Sequence, residues 1–162
     1  MFNRLAHHAN VLGSVATSSL AAWRGCLVVS DVPQPERPLV LYDMEGCPYC
    51  RRVREALTAL NLDVQIRPCP KGGRVFRKRA ETTGGKQQFP LLVDQNTDTV
   101  MYESEAIIKY LFLQYAGQPV PGYYRERLWQ PVMGSFASVA SAMRGLRADS
   151  GKQPEQPLHL WS

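Results

Sequence analysis

The sequence predicts an α/β domain with the element order β-α-β-α-β-β-α between about residues 39 and 115. An apolar stretch without alternation leads directly into a Cys-x-x-Cys motif that opens an amphipathic helix. Farther along, a proline directly precedes a second apolar stretch, and a short turn connects that stretch to a returning strand. Helical and extended patterns therefore alternate along one segment, which is typical of the α/β class.

The first predicted strand and helix meet at two cysteines. Leu39–Tyr42 is apolar without alternation, as in a strand that is buried on both faces. Residues 43–46 are loop formers, Cys47 takes the N-cap position, and Pro48 takes the first helical position, where its missing N–H costs nothing. The helix is expected to end near Leu60. Its expected apolar face comprises Val53, Ala56, Leu57 and Leu60.

This placement predicts an activated thiol at Cys47. A thiol at a helix N-terminus faces free backbone N–H groups and the positive end of the helix dipole, and both favour the thiolate. Arg51 and Arg52 are expected to add positive charge nearby, and Arg51 can also pair with Glu55 at i, i+4. Cys50 lies one turn farther along the helix and is expected to be more buried and less reactive. This arrangement is typical of disulfide exchange, in which Cys47 attacks and Cys50 resolves.

A Cys-x-x-Cys motif can also be half of a zinc site, and this alternative stays open. A structural zinc site needs four ligands, but the chain has no second Cys-x-x-Cys, and its three histidines lie near its ends. The sequence therefore predicts no metal at the thiols. An iron–sulfur cluster shared between two chains is a further alternative.

The chain has 162 residues, a net charge of +5 and a pI near 9.2, which fits one domain of ordinary size with extensions. Much of the excess charge lies in two runs, residues 51–54 and 74–79. A solvated helix face explains such runs, and a basic surface beside a thiol also attracts anions. Because no basic motif is interleaved with aromatic residues, the sequence predicts no nucleic-acid partner.

The four cysteines do not form the pattern of a disulfide framework. Two of them share one motif, whereas Cys26 and Cys69 are widely spaced and expected to be reduced. Cys69 is interpreted as a packed thiol at a strand end, with a third redox thiol as the alternative. This usage suits a reducing compartment, so we expect a cytoplasmic protein, or alternatively one of an organelle stroma or matrix.

The N-terminal segment combines basic and apolar residues. Residues 1–30 contain Arg4 and Arg24 but no acidic residue, which is compatible with a targeting segment. Val11–Ala22 is too short and too polar to span a membrane, so we expect no membrane partner.

Parts of the chain repeat at an offset near 120 residues. Residues 35–43 return as residues 154–162, and short blocks at 13–25 return, in the same order, at 134–145. We therefore expect an N-terminal helix and linker (1–37), a thiol domain (38–116), and a helical extension (117–162). That extension would end at the start of a truncated second repeat, after one or two helices over residues 123–148.

The remaining elements follow in order. Asp63–Arg67 alternates as a half-buried strand, and Val75–Thr83 is a short basic helix that a Gly-Gly pair closes. A strand after Pro90 and a strand at Thr99–Tyr102 form a hairpin. Ser104 opens the last helix. Its expected buried stripe comprises Ile107, Ile108, Leu111, Phe112 and Tyr115.

The element order and three short motifs resemble the thioredoxin fold and, within it, the glutaredoxins and the N-terminal domain of glutathione S-transferases. Cys47-Pro-Tyr-Cys50 is identical to the dithiol glutaredoxin motif, and Phe89-Pro90 falls at the family's cis-proline position. Glu103–Ile107 is similar to the glutathione-binding Glu-Ser motif of the transferases, and Gly84–Pro90 is similar to a segment of tandem glutaredoxin-like proteins from bacteria and plastids. The resemblance implies a central four-stranded mixed sheet with helical N- and C-terminal extensions.

The resemblance also implies a site for glutathione as co-substrate. A cis bond before Pro90 would turn the backbone of Phe89 toward the cysteinyl part of glutathione beside Cys47. Ser104, at a helix N-terminus, suits the γ-glutamyl carboxylate, and Glu103 suits the ligand's ammonium group.

Other residues are expected to complete this site. Lys86 would meet the glycine carboxylate of glutathione, with Arg51 as the alternative cation. Tyr49 would form one wall of the groove. Alternatively, Ser104 is only a helix cap, and Lys86 and Glu103 are only surface charges.

The function expected from these features is that of a glutathione-dependent thiol–disulfide oxidoreductase, an enzyme acting on disulfide or glutathionylated proteins. The first alternative is a transferase-like enzyme that conjugates or isomerises electrophiles, which would need a helical C-terminal domain. The second is a non-catalytic module that binds glutathione or a metal cluster.

Overall fold

The computed structural model describes residues 4–20, 23–122 and 124. The elements, in chain order, are α1 (Arg4–Leu20), a 3₁₀ helix (Arg24–Cys26), β1 (Leu39–Asp43), α2 (Pro48–Ala59), β2 (Val64–Pro68), α3 (Phe76–Gly84), β3 (Leu91–Asp94), β4 (Thr99–Tyr102) and α4 (Ser104–Ala116). From β1 to α4 this is the predicted β-α-β-α-β-β-α order.

The four strands form one mixed sheet in the order β2-β1-β3-β4. β1 and β2 are parallel, whereas β3 is antiparallel to both β1 and β4. This architecture confirms the predicted α/β thioredoxin-like fold.

The central strand β1 is buried along its whole length, as its unbroken apolar sequence predicts. Leu39 and Leu41 face one core cluster, which α2 and α4 complete. Val40 and Tyr42 face a second, smaller cluster, which includes Ala80 of α3. The buried hydrophobic residues that α2 and α4 contribute to the first cluster are Val53, Ala56, Leu57, Ala59, Ile107, Ile108, Leu111 and Phe112.

Three local expectations need correction. Tyr115 is half-buried rather than part of the fully buried stripe, because its hydroxyl donates a hydrogen bond to Asp94. β2 does not alternate between buried and exposed residues: Ile66 is 40% exposed, while Arg67 is half-buried. The guanidinium of Arg67 lies 5.2 Å from the centre of the Tyr42 ring and donates to the Tyr42 hydroxyl, so tertiary packing overrides the alternation.

Asp43, which was expected in the loop, is the last residue of β1.

The strand register brings distant segments to one edge of the sheet. Asp43 pairs with Pro68 of the parallel strand, and Tyr42 pairs with Leu91, which in turn pairs with Tyr102. The loop after β1, the residues just after β2, those just before β3 and those just after β4 therefore lie at the same edge.

The N-terminal helix is present as α1. None of the helices in the described ranges is long and apolar enough to cross a membrane. The helices predicted over residues 123–148 and the second copy of the repeat at residues 154–162 lie outside the described residues, apart from Tyr124. The predicted domain boundaries and the tandem repeat stay predictions.

One glycine allows α3 to pack against β4. A Cβ atom at Gly84 would lie 2.2 Å from the Tyr102 hydroxyl oxygen and 2.8 Å from Cζ, and the same hydroxyl donates a 2.8 Å hydrogen bond to the carbonyl of Lys86. Because Gly84 has no side chain, the Tyr102 ring can pack against α3, and its hydroxyl can hold the segment after the helix through the Lys86 carbonyl.

We expect Gly84→Ala to lower the free energy of unfolding by about 1–3 kcal/mol, since the new methyl group overlaps the Tyr102 ring. Tyr102→Phe alone should cost about 1 kcal/mol through the lost hydrogen bond. Because removing the hydroxyl also relieves the closest overlap, the double variant should lose less than the sum of the single losses. Urea denaturation of the four proteins measures this cycle, and strictly additive losses would contradict the proposed contact.

Candidate active site

Cys47 occupies the N-cap position of α2, as predicted. Its backbone is extended, with φ −87° and ψ 120°, and Pro48 follows as the first helical residue. Its N–H donates to the Met44 carbonyl at 3.0 Å, and its own carbonyl accepts from Arg51 N–H at 3.1 Å. The thiol-bearing residue is thus held from both sides, with Cys47 9% exposed and Cys50 fully buried, as predicted.

Hydrogen bonds stabilise the thiolate form of Cys47. The Cys50 thiol donates to Cys47, and together with the N–H groups of Cys50 and Tyr49 it lowers the pKa of Cys47 to about 6 against the opposing effect of burial. The lowered pKa favours the thiolate form of Cys47 at neutral pH. The same hydrogen bond and burial raise the pKa of Cys50, which stays protonated. The N–H of Met44 also lies 3.4 Å from Cys50 Sγ, fixing this thiol under the loop.

The two arginines expected to add positive charge near Cys47 each lie beside a carboxylate, and the supporting role of Arg51 stays a prediction. Arg51 Nε lies 3.1 Å from Glu55 Oε1, and Arg52 Nη2 lies 2.9 Å from Glu105 Oε1. These carboxylates offset the two positive charges. The effects that lower the pKa of Cys47 are hydrogen bonds from Cys50 and Tyr49.

A buried carboxylate beside the thiols was not identified from the sequence. Asp43 is 2% exposed, and its burial raises its pKa to about 6, while the positive charge of Arg54 acts in the opposite direction. Arg54 Nε lies 3.0 Å from Asp43 Oδ2 in an ion pair that is not aligned as a hydrogen bond, and Arg54 Nη1 lies 2.6 Å from Glu45 Oε2. The charge of Asp43 raises the pKa of both Cys47 and Cys50 and so weakly opposes the thiolate. The sequence feature that could have identified Asp43 is its position, since it is an acidic residue directly after the apolar stretch Leu39–Tyr42.

The Phe89–Pro90 peptide bond is cis, as the resemblance implied, and it lies at the thiol edge of the sheet. The Arg77 guanidinium lies 5.0 Å from the centre of the Phe89 ring. Its Nη1 donates to the Cys69 carbonyl at 2.9 Å and lies 3.9 Å from Met44 Sδ. Arg77, which sequence analysis did not identify, therefore connects three segments that border the thiols.

Cys69 is a packed thiol, in agreement with its interpretation from the sequence. It is fully buried in the smaller core cluster, and burial raises its pKa to about 11. Its N–H donates to the Asp43 carbonyl at 2.6 Å. Cys26, by contrast, is exposed.

The Glu-Ser segment lies at the same edge, just after β4. Glu103 has φ 68° and ψ 114°, an unfavourable conformation for a residue with a side chain. Its carboxylate accepts a hydrogen bond from Gln88, next to Phe89, and its carbonyl accepts from Ile107 N–H at 2.9 Å. Ser104, the first residue of α4, is 6% exposed.

The two remaining predicted residues have different environments. Tyr49 is 46% exposed, on the first turn of α2 beside Cys47. Lys86 is exposed, and its Nζ lies 5.1 Å from the centre of the Tyr102 ring. The register thus brings Cys47, Phe89 and Glu103 to one edge, with Lys86 beside Tyr102. The ligand contacts expected of these residues stay predictions.

Among the described residues, no group of three or more His, Cys, Asp or Glu side chains could hold a metal ion. The arrangement instead combines a stabilised thiolate, a protonated second thiol and a neighbouring cis-proline segment. A lowered thiol pKa is the property that a nucleophilic cysteine requires.

Comparison with known families matches residues 41–119 to the family described as glutathione S-transferase, N-terminal domain. No curated protein matches the chain significantly. The matched segment runs from within β1 to just beyond α4 and contains both thiols, the cis-proline and the Glu-Ser segment. The match supports the assignment of this segment to a glutathione-related, thioredoxin-fold domain, similar to the N-terminal domain of glutathione S-transferases.

Proposed function

We propose that this chain is a glutathione-dependent thiol–disulfide oxidoreductase with Cys47 as the nucleophile and Cys50 as the resolving thiol. The observation that carries the proposal is the geometry of the thiol pair: Cys47 lies at the N-cap of α2 and is 9% exposed, whereas Cys50 is fully buried on the first turn of the same helix. The lowered pKa of Cys47 and the raised pKa of Cys50 agree with an attacking and a resolving role. An attacking thiol is most effective when its pKa lies near the ambient pH, since a lower value reduces its nucleophilicity.

On a glutathionylated protein, the reaction uses Cys47 alone. The Cys47 thiolate attacks the glutathione sulfur of the mixed disulfide, and the protein thiolate leaves and takes up a proton. A glutathione thiolate then attacks the same glutathione sulfur, releasing oxidised glutathione and regenerating the Cys47 thiolate. One mixed disulfide and one glutathione thiol are thereby converted into one protein thiol and one glutathione disulfide.

On a protein disulfide, the reaction also requires Cys50. Cys47 attacks one sulfur and forms a mixed disulfide with the substrate, while the other substrate sulfur leaves as a thiol. Cys50 then attacks Cys47 Sγ, its proton passes to the departing substrate sulfur, and a Cys47–Cys50 disulfide forms. Two glutathione molecules reduce this disulfide and are themselves oxidised to glutathione disulfide.

The placement of the other predicted residues supports glutathione as the reductant. Ser104 lies at the N-terminus of a 13-residue helix, where a carboxylate is stabilised by free N–H groups. Glu103, held by Gln88, offers a carboxylate for the ammonium group, and Lys86 offers a cation for the glycine carboxylate. Phe89 would present its backbone beside Cys47, with Tyr49 as a wall.

A second candidate function, transfer of glutathione to an electrophile, is favoured by the family match alone. The bound glutathione sulfur or Cys47 would then attack carbon rather than sulfur. Conjugation of 1-chloro-2,4-dinitrobenzene by the full chain, unchanged in Cys50→Ala, would support this reaction over disulfide exchange.

The first prediction concerns the titration of Cys47. Its alkylation rate by iodoacetamide, followed at Cys47 by peptide mass spectrometry, should rise with a midpoint near pH 6. Cys50→Ala should move this midpoint upward by about one to two pH units, because the donor that stabilises the thiolate is lost. Cys50→Ser keeps a hydroxyl donor and should shift it less. A wild-type midpoint near 8.5, equal to that of Cys50→Ala, would refute the role of this hydrogen bond.

The second prediction separates the two reaction modes. Cys50→Ser should retain reduction of a glutathionylated peptide but lose reduction of a protein disulfide, since only the latter needs a resolving thiol. Cys47→Ser should lose both activities. Cys26→Ser, at an exposed cysteine outside the site, serves as the matched control and should keep both. Retained disulfide reduction in Cys50→Ser would exclude Cys50 as the resolving thiol.

The third prediction tests the glutathione site at α4. Ser104→Ala should raise KM for glutathione about tenfold, because a hydrogen bond to a carboxylate is lost, while kcat should change little. Ser104→Thr keeps the hydroxyl and should restore most of the affinity. If both variants have the wild-type KM and unfold at the wild-type temperature, Ser104 does not contact glutathione.

A further inference from the structure

The net positive charge of the chain lies in one short segment. Residues 70–88, here called the cationic segment, contain six basic residues and one acidic residue, Glu81. The remaining chain contains thirteen basic and thirteen acidic residues, so it is formally neutral. The six basic residues are Lys71, Arg74, Arg77, Lys78, Arg79 and Lys86.

Among residues 4–20, 23–122 and 124, no carboxylate forms an ion pair with a cation of this segment. The ion pairs found within the described ranges involve Arg51, Arg52 and Arg54 of α2, and none involves the cationic segment. Three of its six cations instead lie over aromatic rings: Arg77 over Phe89, Arg79 over Phe76 and Lys86 over Tyr102. A ring orients a cation without cancelling its charge, so the positive field of the segment persists. Five of the six, all except Arg77, are exposed.

The segment adjoins the thiols. Arg77 contacts Met44, whose carbonyl accepts the N–H of Cys47, and it stacks on Phe89 of the cis-proline segment. The segment begins just after Cys69, which bonds to the end of β1 through its N–H. A molecule bound over the exposed cations next to Arg77 would therefore lie close to the loop that carries Cys47.

We infer that the cationic segment is a docking surface for acidic protein substrates, which it selects by charge complementarity next to their disulfide or glutathionylated cysteine. This inference rests on the proposed oxidoreductase function and specifies its substrate class. Opposite charge beside a reaction centre raises the encounter rate by about ten- to a thousandfold, and salt weakens the effect. The substrates expected to bind this surface are proteins with Asp and Glu residues around the reacting cysteine.

The test compares two glutathionylated peptides of equal length, one with Asp and Glu and one with Lys flanking the cysteine. At low ionic strength the wild-type chain should have a kcat/KM about tenfold or more higher for the acidic peptide, and 0.5 M NaCl should remove most of the difference. Arg74→Glu/Lys78→Glu, at two exposed positions outside the glutathione site, should abolish or invert the ratio. A change in the reactivity of Cys47 would alter kcat/KM for both peptides equally, so it cancels in the ratio of the two values.

Arg37→Glu/Lys109→Glu is the matched control, since it makes the same change in net charge at two exposed positions outside the segment and should keep the preference. Equal kcat/KM values for both peptides, or an equal loss in both double variants, would overturn the inference. Stronger binding of a single-stranded oligonucleotide than of the acidic peptide, lost in Arg74→Glu/Lys78→Glu, would assign the segment to nucleic acid instead. Turnover of the mixed disulfide of glutathione and 2-mercaptoethanol tests the proposed function separately, because the contacts proposed for glutathione include Lys86 but neither Arg74 nor Lys78.

Discussion

The fold depends on burying β1 on both of its faces. A strand with no exposed side chain needs packed elements on each side of the sheet, and α2 with α4 on one side and α3 on the other provide them. The same strand pairs with β2 and β3 through its backbone. Its carboxyl end is therefore packed and paired on all sides, and the loop that carries Cys47 begins there.

Much of this fold could be predicted because its signals are local. The unbroken apolar run of β1, the Pro48 start of α2 and the two glycines that end α3 each determine their own element with little help from the rest of the chain. The thiol pair could be predicted for the same reason, since a helix N-terminus and a three-residue spacing are properties of consecutive residues. β2 was less predictable, because the packing of Arg67 on Tyr42 depends on a strand partner 25 residues away.

The residues that sequence analysis missed act through contacts between distant parts of the chain. Asp43 appears in the sequence as an ordinary loop former, and only the packing of α2 over β1 buries it and brings Arg54 to it. Arg77 appears as one cation in a basic run, and only the fold brings it to Phe89 and Met44. The backbone N–H groups that lower the pKa of Cys47 could be predicted from its place at a helix N-terminus, whereas the effect of the Cys50 thiol could not, because the alignment of one thiol with another is not visible in a sequence.

The two groups of cations also differ in how they respond to acid. Those of α2 are paired with carboxylates, which can be protonated, whereas Arg77, Arg79 and Lys86 lie over rings that do not titrate. The positive field beside the thiols is therefore constant across the range in which Cys47, with a pKa of about 6, loses its charge. Under the proposed function, acidification would protonate the Cys47 sulfur without weakening the proposed docking of an acidic substrate, so binding and reaction would respond separately to pH. A return to neutral pH would then restart the proposed reaction on substrates that are already bound.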